Sequence, residues 1–125
     1  MTENEISYHI RGCIFKVYNS LGPGLLESTY EAALVHELQL SGLRVIHQMP
    51  LPMIYKGVRL NIGYRVDLLV EDKVVVEVKS TEELAPVHHQ QVLTYLKLSD
   101  LKLGVLVNFN TANISSSIIR KVNKL

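Results

Sequence analysis

Apolar residues along this chain follow two rhythms, and the change from one to the other lays out the elements. Ile6, Ile10, Ile14 and Val17 recur at helical spacing and predict an amphipathic helix ending before the breaker-rich Leu21-Gly-Pro-Gly24. Leu26, Tyr30, Leu34 and Leu38 repeat that spacing in a second helix, Leu25 to Leu40, stopped by Ser41-Gly42. From Leu43 the period shortens. Leu43–Met49 and Pro50–Tyr55 read as two strands parted by the prolines and closed by Lys56-Gly57, and Val58–Ile62 reads as a return strand. A third helix is predicted over Pro86–Ser99 and a nearly continuous apolar strand over Leu101–Asn108. Ile118–Val122 closes the chain as a short strand or a helical turn.

Between these lies the sharpest alternation. Tyr64-Arg-Val-Asp-Leu-Leu-Val70 and Lys73-Val-Val-Val-Glu-Val-Lys79 flank the turn-like Glu71-Asp72, which predicts a β-hairpin. If residue 70 pairs with residue 74, Val66, Leu68 and Val70 share one wholly apolar face with Val74, Val76 and Val78. The other face carries Arg65, Asp67, Leu69, Lys73, Val75, Glu77 and Lys79, and Asp67 stands opposite Glu77. Two carboxylates and a lysine on a rigid sheet suit metal-assisted phosphodiester hydrolysis. The carboxylates offer oxygen to Mg²⁺, and the ammonium steadies an attacking water or charge developing on phosphate. A solvated sheet face with cross-strand charge pairs would carry the same pattern.

The order helix, helix, strands, helix, strand predicts an α/β fold, more narrowly mixed α+β: a mixed central sheet flanked by helices. The strand after the third helix is expected to run parallel to Val74–Lys79 through a right-handed crossover. That places Leu103–Val107 centrally and lays a helix over the charged hairpin face, so that this face becomes a cleft.

Composition adds bounds. At 125 residues with 47% hydrophobic content, and no repeat or linker, a single packed domain over 1–125 is expected. No apolar run reaches the ~20 residues of a membrane span, and the N-terminus, bearing Glu3 and Glu5, does not resemble a secretory signal. The lone Cys13 fits a reducing cytoplasm and a packing role. Net charge is only +1, without the basic excess of proteins that hold phosphates by broad attraction. Nucleic-acid affinity must then come from a local patch, a metal, a partner protein or a second copy of the chain.

Other residues carry chemistry with plainer alternatives beside it. Glu27 falls in the first turn of its helix, where the helix dipole alone favours a carboxylate. Tyr30, one turn on, suits a core tyrosine with a bonded hydroxyl. His88, Gln91 and Tyr95 share a helix face that could simply meet water. His47 stands isolated on a strand, and no ligand spacing for zinc accompanies His88-His89. Gly22 and Gly24 lack the Gly-Lys-Ser/Thr of a phosphate loop.

Read together, Gly24-Leu-Leu-Glu27-Ser-Thr-Tyr30, Asp67, Glu77-Val-Lys79 and Gln91-Val-Leu-Thr-Tyr95 resemble the GxxExxY protein family, a branch of the PD-(D/E)xK nuclease-like superfamily. The resemblance runs from Tyr18 to Phe109. It implies a restriction-endonuclease-like fold and a Mg²⁺- or Mn²⁺-dependent nuclease acting on DNA or RNA. Asp67, Glu77 and Lys79 then match the catalytic core. The Val78 carbonyl is a further ligand, and Glu27 an added acidic residue that reaches the metal through water. Gln91 and Tyr95 match the helix motif that orients the lysine or the substrate phosphate. Val66 stands where the superfamily's proline precedes the aspartate. The alternative is a catalytically inactive nuclease fold serving as an interaction module.

Overall fold

In the computed structural model, which describes residues 1–125 apart from the side chains of residues 61 and 62, three helices sandwich a five-stranded sheet. α1 (Glu3–Leu21) and α2 (Glu27–Leu40) cover one face, and α3 (Pro86–Ser99) covers the other. The strands β1 (Val45–Tyr55), β2 (Val58–Val70), β3 (Val74–Lys79), β4 (Leu103–Asn108) and β5 (Ile118–Val122) lie in sequence order across the sheet. All neighbours are antiparallel except β3 and β4, which run parallel with α3 as their crossover. A mixed sheet flanked by helices is therefore the architecture. A short 3₁₀ turn, Ile114–Ser117, leads into β5, which resolves the choice between strand and turn at the chain's end. No helix among the described residues is long and apolar enough to cross a membrane.

Two dry cores hold the layers. Ile6, Ile10, Ile14, Tyr30 and Leu34 pack on Leu68, Val70, Val74, Val76, Val78 and Val105. On the opposite face Val92, Tyr95 and Leu96 pack on Leu69, Val75 and Leu106. At Gly104 a Cβ would stand 2.6 Å from Val92 Cγ1, so α3 approaches β4 more closely than any side chain there would allow. Cys13 is buried in the first core, with Ser41 Oγ 3.5 Å from its sulfur.

The hairpin register is the expected one, with Val70 paired to Val74, Leu69 to Val75 and Leu68 to Val76. Glu71 and Asp72 both take positive φ, as the tight hairpin turn requires, and Lys73 N–H donates to Val70 C=O at 3.0 Å.

Four details depart from the pattern reading. Pro50 and Pro52 do not separate two strands; β1 runs through both. β1 is the sheet's edge, and residues two apart direct their amide positions to the same side, so both missing N–H groups face the unpaired edge. Leu26 is 74% exposed because it is the N-cap of α2, outside the helical face its spacing suggested. The strand after the third helix begins at Leu103, two residues later than predicted. Val66 does not share the face of Leu68: it packs with Met49, Leu51 and Leu69 beneath α3.

Candidate active site

The displacement of Val66 marks the place where chemistry collects. Pairing between β1 and β2 keeps one register from Val45–Val70 to Pro52–Gly63, yet Gln48 and Asp67, which would face each other, form no pair. Both strands change faces at this point. His47 reaches α2 on one side of the sheet while Met49 packs under α3; Leu68 and Val66 divide likewise. Gln48 takes φ +56°, which breaks the alternation of β1. The Cα ladder between β2 and β3 also ends here, at Leu68–Val76.

Side chains satisfy what the ladder leaves open. Asp67 N–H donates to Glu77 Oε1 at 3.0 Å, and Val78 N–H donates to Asp67 Oδ2 at 2.8 Å. Each carboxylate thus binds a backbone amide belonging to, or adjoining, the other acid. Glu77 is only 3% exposed, and burial followed by the nearby Asp67 charge raises its pKa to about 9. Lys79 opposes that shift, so its ammonium is close enough to be felt. Lys79 C=O accepts from Phe109 N–H at 2.9 Å on the β4 side. Strand amides alternate edges, so the Val78 carbonyl faces the opened side, toward Asp67.

A second set of contacts fixes the approach of α2. Tyr30, fully buried, stacks on Phe109 with centroids 4.4 Å apart and planes 5° from parallel. Its hydroxyl donates to Gly22 C=O and accepts from Leu25 N–H at 3.1 Å. Gly22 and Gly24 supply the positive φ that this tight loop needs. Ser80 Oγ donates to Leu25 C=O at 2.5 Å, so the loop is pinned to the residue after Lys79. Glu27, half-buried, begins α2 immediately beyond that clamp. The core-tyrosine reading of Tyr30 holds, and Tyr30 sets where the helix carrying Glu27 starts.

On the α3 face, Gln91 Nε2 donates to Tyr95 Oη at 2.8 Å. Tyr95 is 4% exposed, and burial, then the Glu77 charge, raises its pKa, so this residue of the stripe lies toward the carboxylates while His88 and Gln91 stay half-buried. Lys79, Gln91 and Tyr95 share one groove. The structure therefore brings Asp67, Glu77, Lys79, Gln91 and Tyr95 to one cleft, with Glu27 at its α2 edge and outside the hydrogen bonds among them.

Residues the pattern did not single out complete the cleft. Glu31, 8% exposed, sits one turn after Glu27 and bonds His47 Nε2 at 3.0 Å and Gln48 Nε2 at 2.6 Å. Gln48 Nε2 lies 3.4 Å from Asp67 Oδ1, so α2 is coupled to the aspartate through an amide. His47 is consequently not isolated. The i, i+4 spacing from Glu27 was the available signal for Glu31. Asn108, also buried, accepts from Thr81 N–H at 3.1 Å and donates to Thr81 C=O at 3.0 Å, holding the segment after Lys79.

Among the described residues no group of three or more His, Cys, Asp or Glu side chains is gathered as a metal site. The donors that do converge are two carboxylates and a free-edge carbonyl, all hard oxygens. Mg²⁺ commonly takes one or two carboxylates and keeps several waters, so this donor set fits it. A cation would also relieve the repulsion that raises Glu77.

The family model of the PD-(D/E)XK nuclease superfamily matches residues 4–121. No curated protein and no solved structure matches the chain.

Proposed function

The chain belongs to the PD-(D/E)XK nuclease superfamily, and on that footing we propose that it hydrolyses phosphodiester bonds in nucleic acid with Mg²⁺ or Mn²⁺. The observation that carries this reading is the interlock of Asp67 and Glu77 at the opened end of the hairpin, with Lys79 close by. Asp67, Glu77 and the Val78 carbonyl would hold the cation, and Glu27 would reach it through water. When bound, the cation supplies Lewis-acid polarisation of the phosphate and lowers the pKa of water.

The chain's own groups do the rest. The Lys79 ammonium orients the attacking water or steadies charge on the phosphate as the phosphorus–oxygen bond breaks. Gln91 and Tyr95, bonded to each other, bound the space in which Lys79 and the phosphate meet. Glu31 and Gln48 set the Asp67 carboxylate. Within the superfamily, Gly24, Glu27 and Tyr30 support a place among the GxxExxY proteins, with Tyr30 acting through the loop it clamps.

The net charge of +1 favours a second reading, in which the fold binds nucleic acid or protein without cutting. Purified protein freed of trace nuclease separates the two. Mg²⁺- or Mn²⁺-dependent cleavage that Lys79→Ala abolishes supports hydrolysis; equal cleavage by wild type and Lys79→Ala sinks it.

A further inference from the structure

Past Lys79 the cleft widens into a groove of about 500 Å³ between α3 and the extended β1–β2 arm. This is the size range of small-molecule sites, roughly 300 to 1,000 Å³. Its character differs from that of the carboxylate end. Tyr64 forms one wall, 38% exposed, and meets Tyr95 edge-on with centroids 6.3 Å apart and planes at 61°. That contact fixes the Tyr64 ring without burying it. Met53 and Val87 add apolar surface, and Thr94 and His88 place polar groups along the α3 side. Lys79 is the only lysine or arginine among the described lining.

We infer that this groove seats an unpaired base of the substrate strand, stacked on Tyr64, and that the substrate is single-stranded nucleic acid or a single-stranded end. The inference rests on the nuclease reading for its consequence, since Lys79 lines both the groove and the carboxylate site. A duplex keeps its bases stacked inward and is held chiefly by cationic tracks along its phosphates. This groove offers one cation, Lys79, and an aromatic wall. Stacking on an aromatic side chain needs no basic excess and accepts any base, contributing roughly 1–3 kcal/mol per base. A near-neutral chain can therefore hold an unpaired strand beside Lys79, where it has little to grip a duplex.

The test uses oligonucleotides carrying 2-aminopurine, whose fluorescence is quenched by stacking; the chain contains no tryptophan to interfere. Single-stranded DNA, single-stranded RNA, blunt duplex and overhang duplex are titrated with wild type, Tyr64→Ala and Tyr64→Phe, each shown by melting to be folded. Quenching and tighter binding with unpaired strands, lost about tenfold or more in Tyr64→Ala and kept in Tyr64→Phe, are expected from the stacking term. The DNA and RNA arms show which sugar the groove takes. Equal binding of blunt duplex and single strand, or indifference to Tyr64→Ala, overturns the inference. Cleavage in Mg²⁺ is scored separately with Lys79→Ala, so a protein that stacks unpaired bases without cutting fails the nuclease reading and retains this one.

Discussion

The two ends of the β2–β3 hairpin are built from the same alternating residues and do opposite work. At the turn end, Leu68–Val70 and Val74–Val76 form a regular ladder buried on both faces. A few residues on, the ladder stops, β1 and β2 change faces, and Asp67 and Glu77 bind each other's strand amides. The dry end fixes the positions of the strands. The open end uses that rigidity to hold Asp67 beside Glu77, where burial and the Asp67 charge disfavour ionisation of the glutamate. Two acids this close need such a frame, because burial and proximity both penalise their ionisation and only their bonds to each other's strand amides oppose that.

The sharpest way to break this comparison is to place the same chemistry at adjacent residues. Val76 is fully buried in the dry end, and Val76→Asp leaves a charge without a partner there. It should cost roughly 3 kcal/mol or more and unfold much of the population. Glu77→Gln, one residue on, keeps an oxygen for the Asp67 amide and removes a buried acid, so stability should hold or rise. Urea denaturation compares them. If Glu77→Gln unfolds the chain while Val76→Asp is tolerated, the faces are wrongly assigned.

The next effect probes how tightly the dry end is closed from the α3 side. Gly104→Ala drives a methyl against Val92 Cγ1 at 2.6 Å, and overpacking of this kind costs about 1–3 kcal/mol. Adding Val92→Ala removes the opposing methyl groups and should recover part of the loss. A double variant no more stable than Gly104→Ala would show that the strain lies elsewhere.

How far the sequence carried this distinction follows from the same physics. The hairpin register and its dry face were legible because strict alternation has only one way to bury six valine and leucine side chains, and five of the six sit where alternation puts them. Val66 is the exception: β1 and β2 both change faces where Gln48 takes a positive φ, and that residue type gives no warning of one. The prolines of β1 were misread because their harmlessness depends on β1 being an edge, a fact of topology and not of local pattern. Asp67, Glu77, Lys79, Gln91 and Tyr95 were each visible as residues. The network through Glu31 and Gln48 was not, because it joins a helix to a strand irregularity that alternation cannot express.

The effect that addresses the open end directly, and that builds only gradually, is its dependence on pH. Burial and the Asp67 charge raise the Glu77 pKa in the folded chain to about 9, above its ordinary carboxylate value in the unfolded chain. Between those two values the folded state holds a proton that the unfolded state has released. Stability from this group is therefore complete below the unfolded value and drains away as pH rises toward 9, at no more than about 1.4 kcal/mol per pH unit for one proton. Glu77→Gln cannot release a proton, so the difference between its denaturation free energy and that of wild type isolates the effect and should widen with pH. A divalent cation binds the ionised pair and displaces that proton, so its stabilisation should grow over the same range. Millimolar Mn²⁺ should accordingly raise the wild-type Tm more at pH 8.5 than at pH 6, and should do little for Glu77→Gln or Asp67→Asn at either. The Asn and Gln variants keep the acceptor oxygens that bind Val78 N–H and Asp67 N–H, so their backbones stay paired while the charge is gone. A Tm shift that is independent of pH, or equally large in Asp67→Asn, would place the cation somewhere other than the opened end of the hairpin.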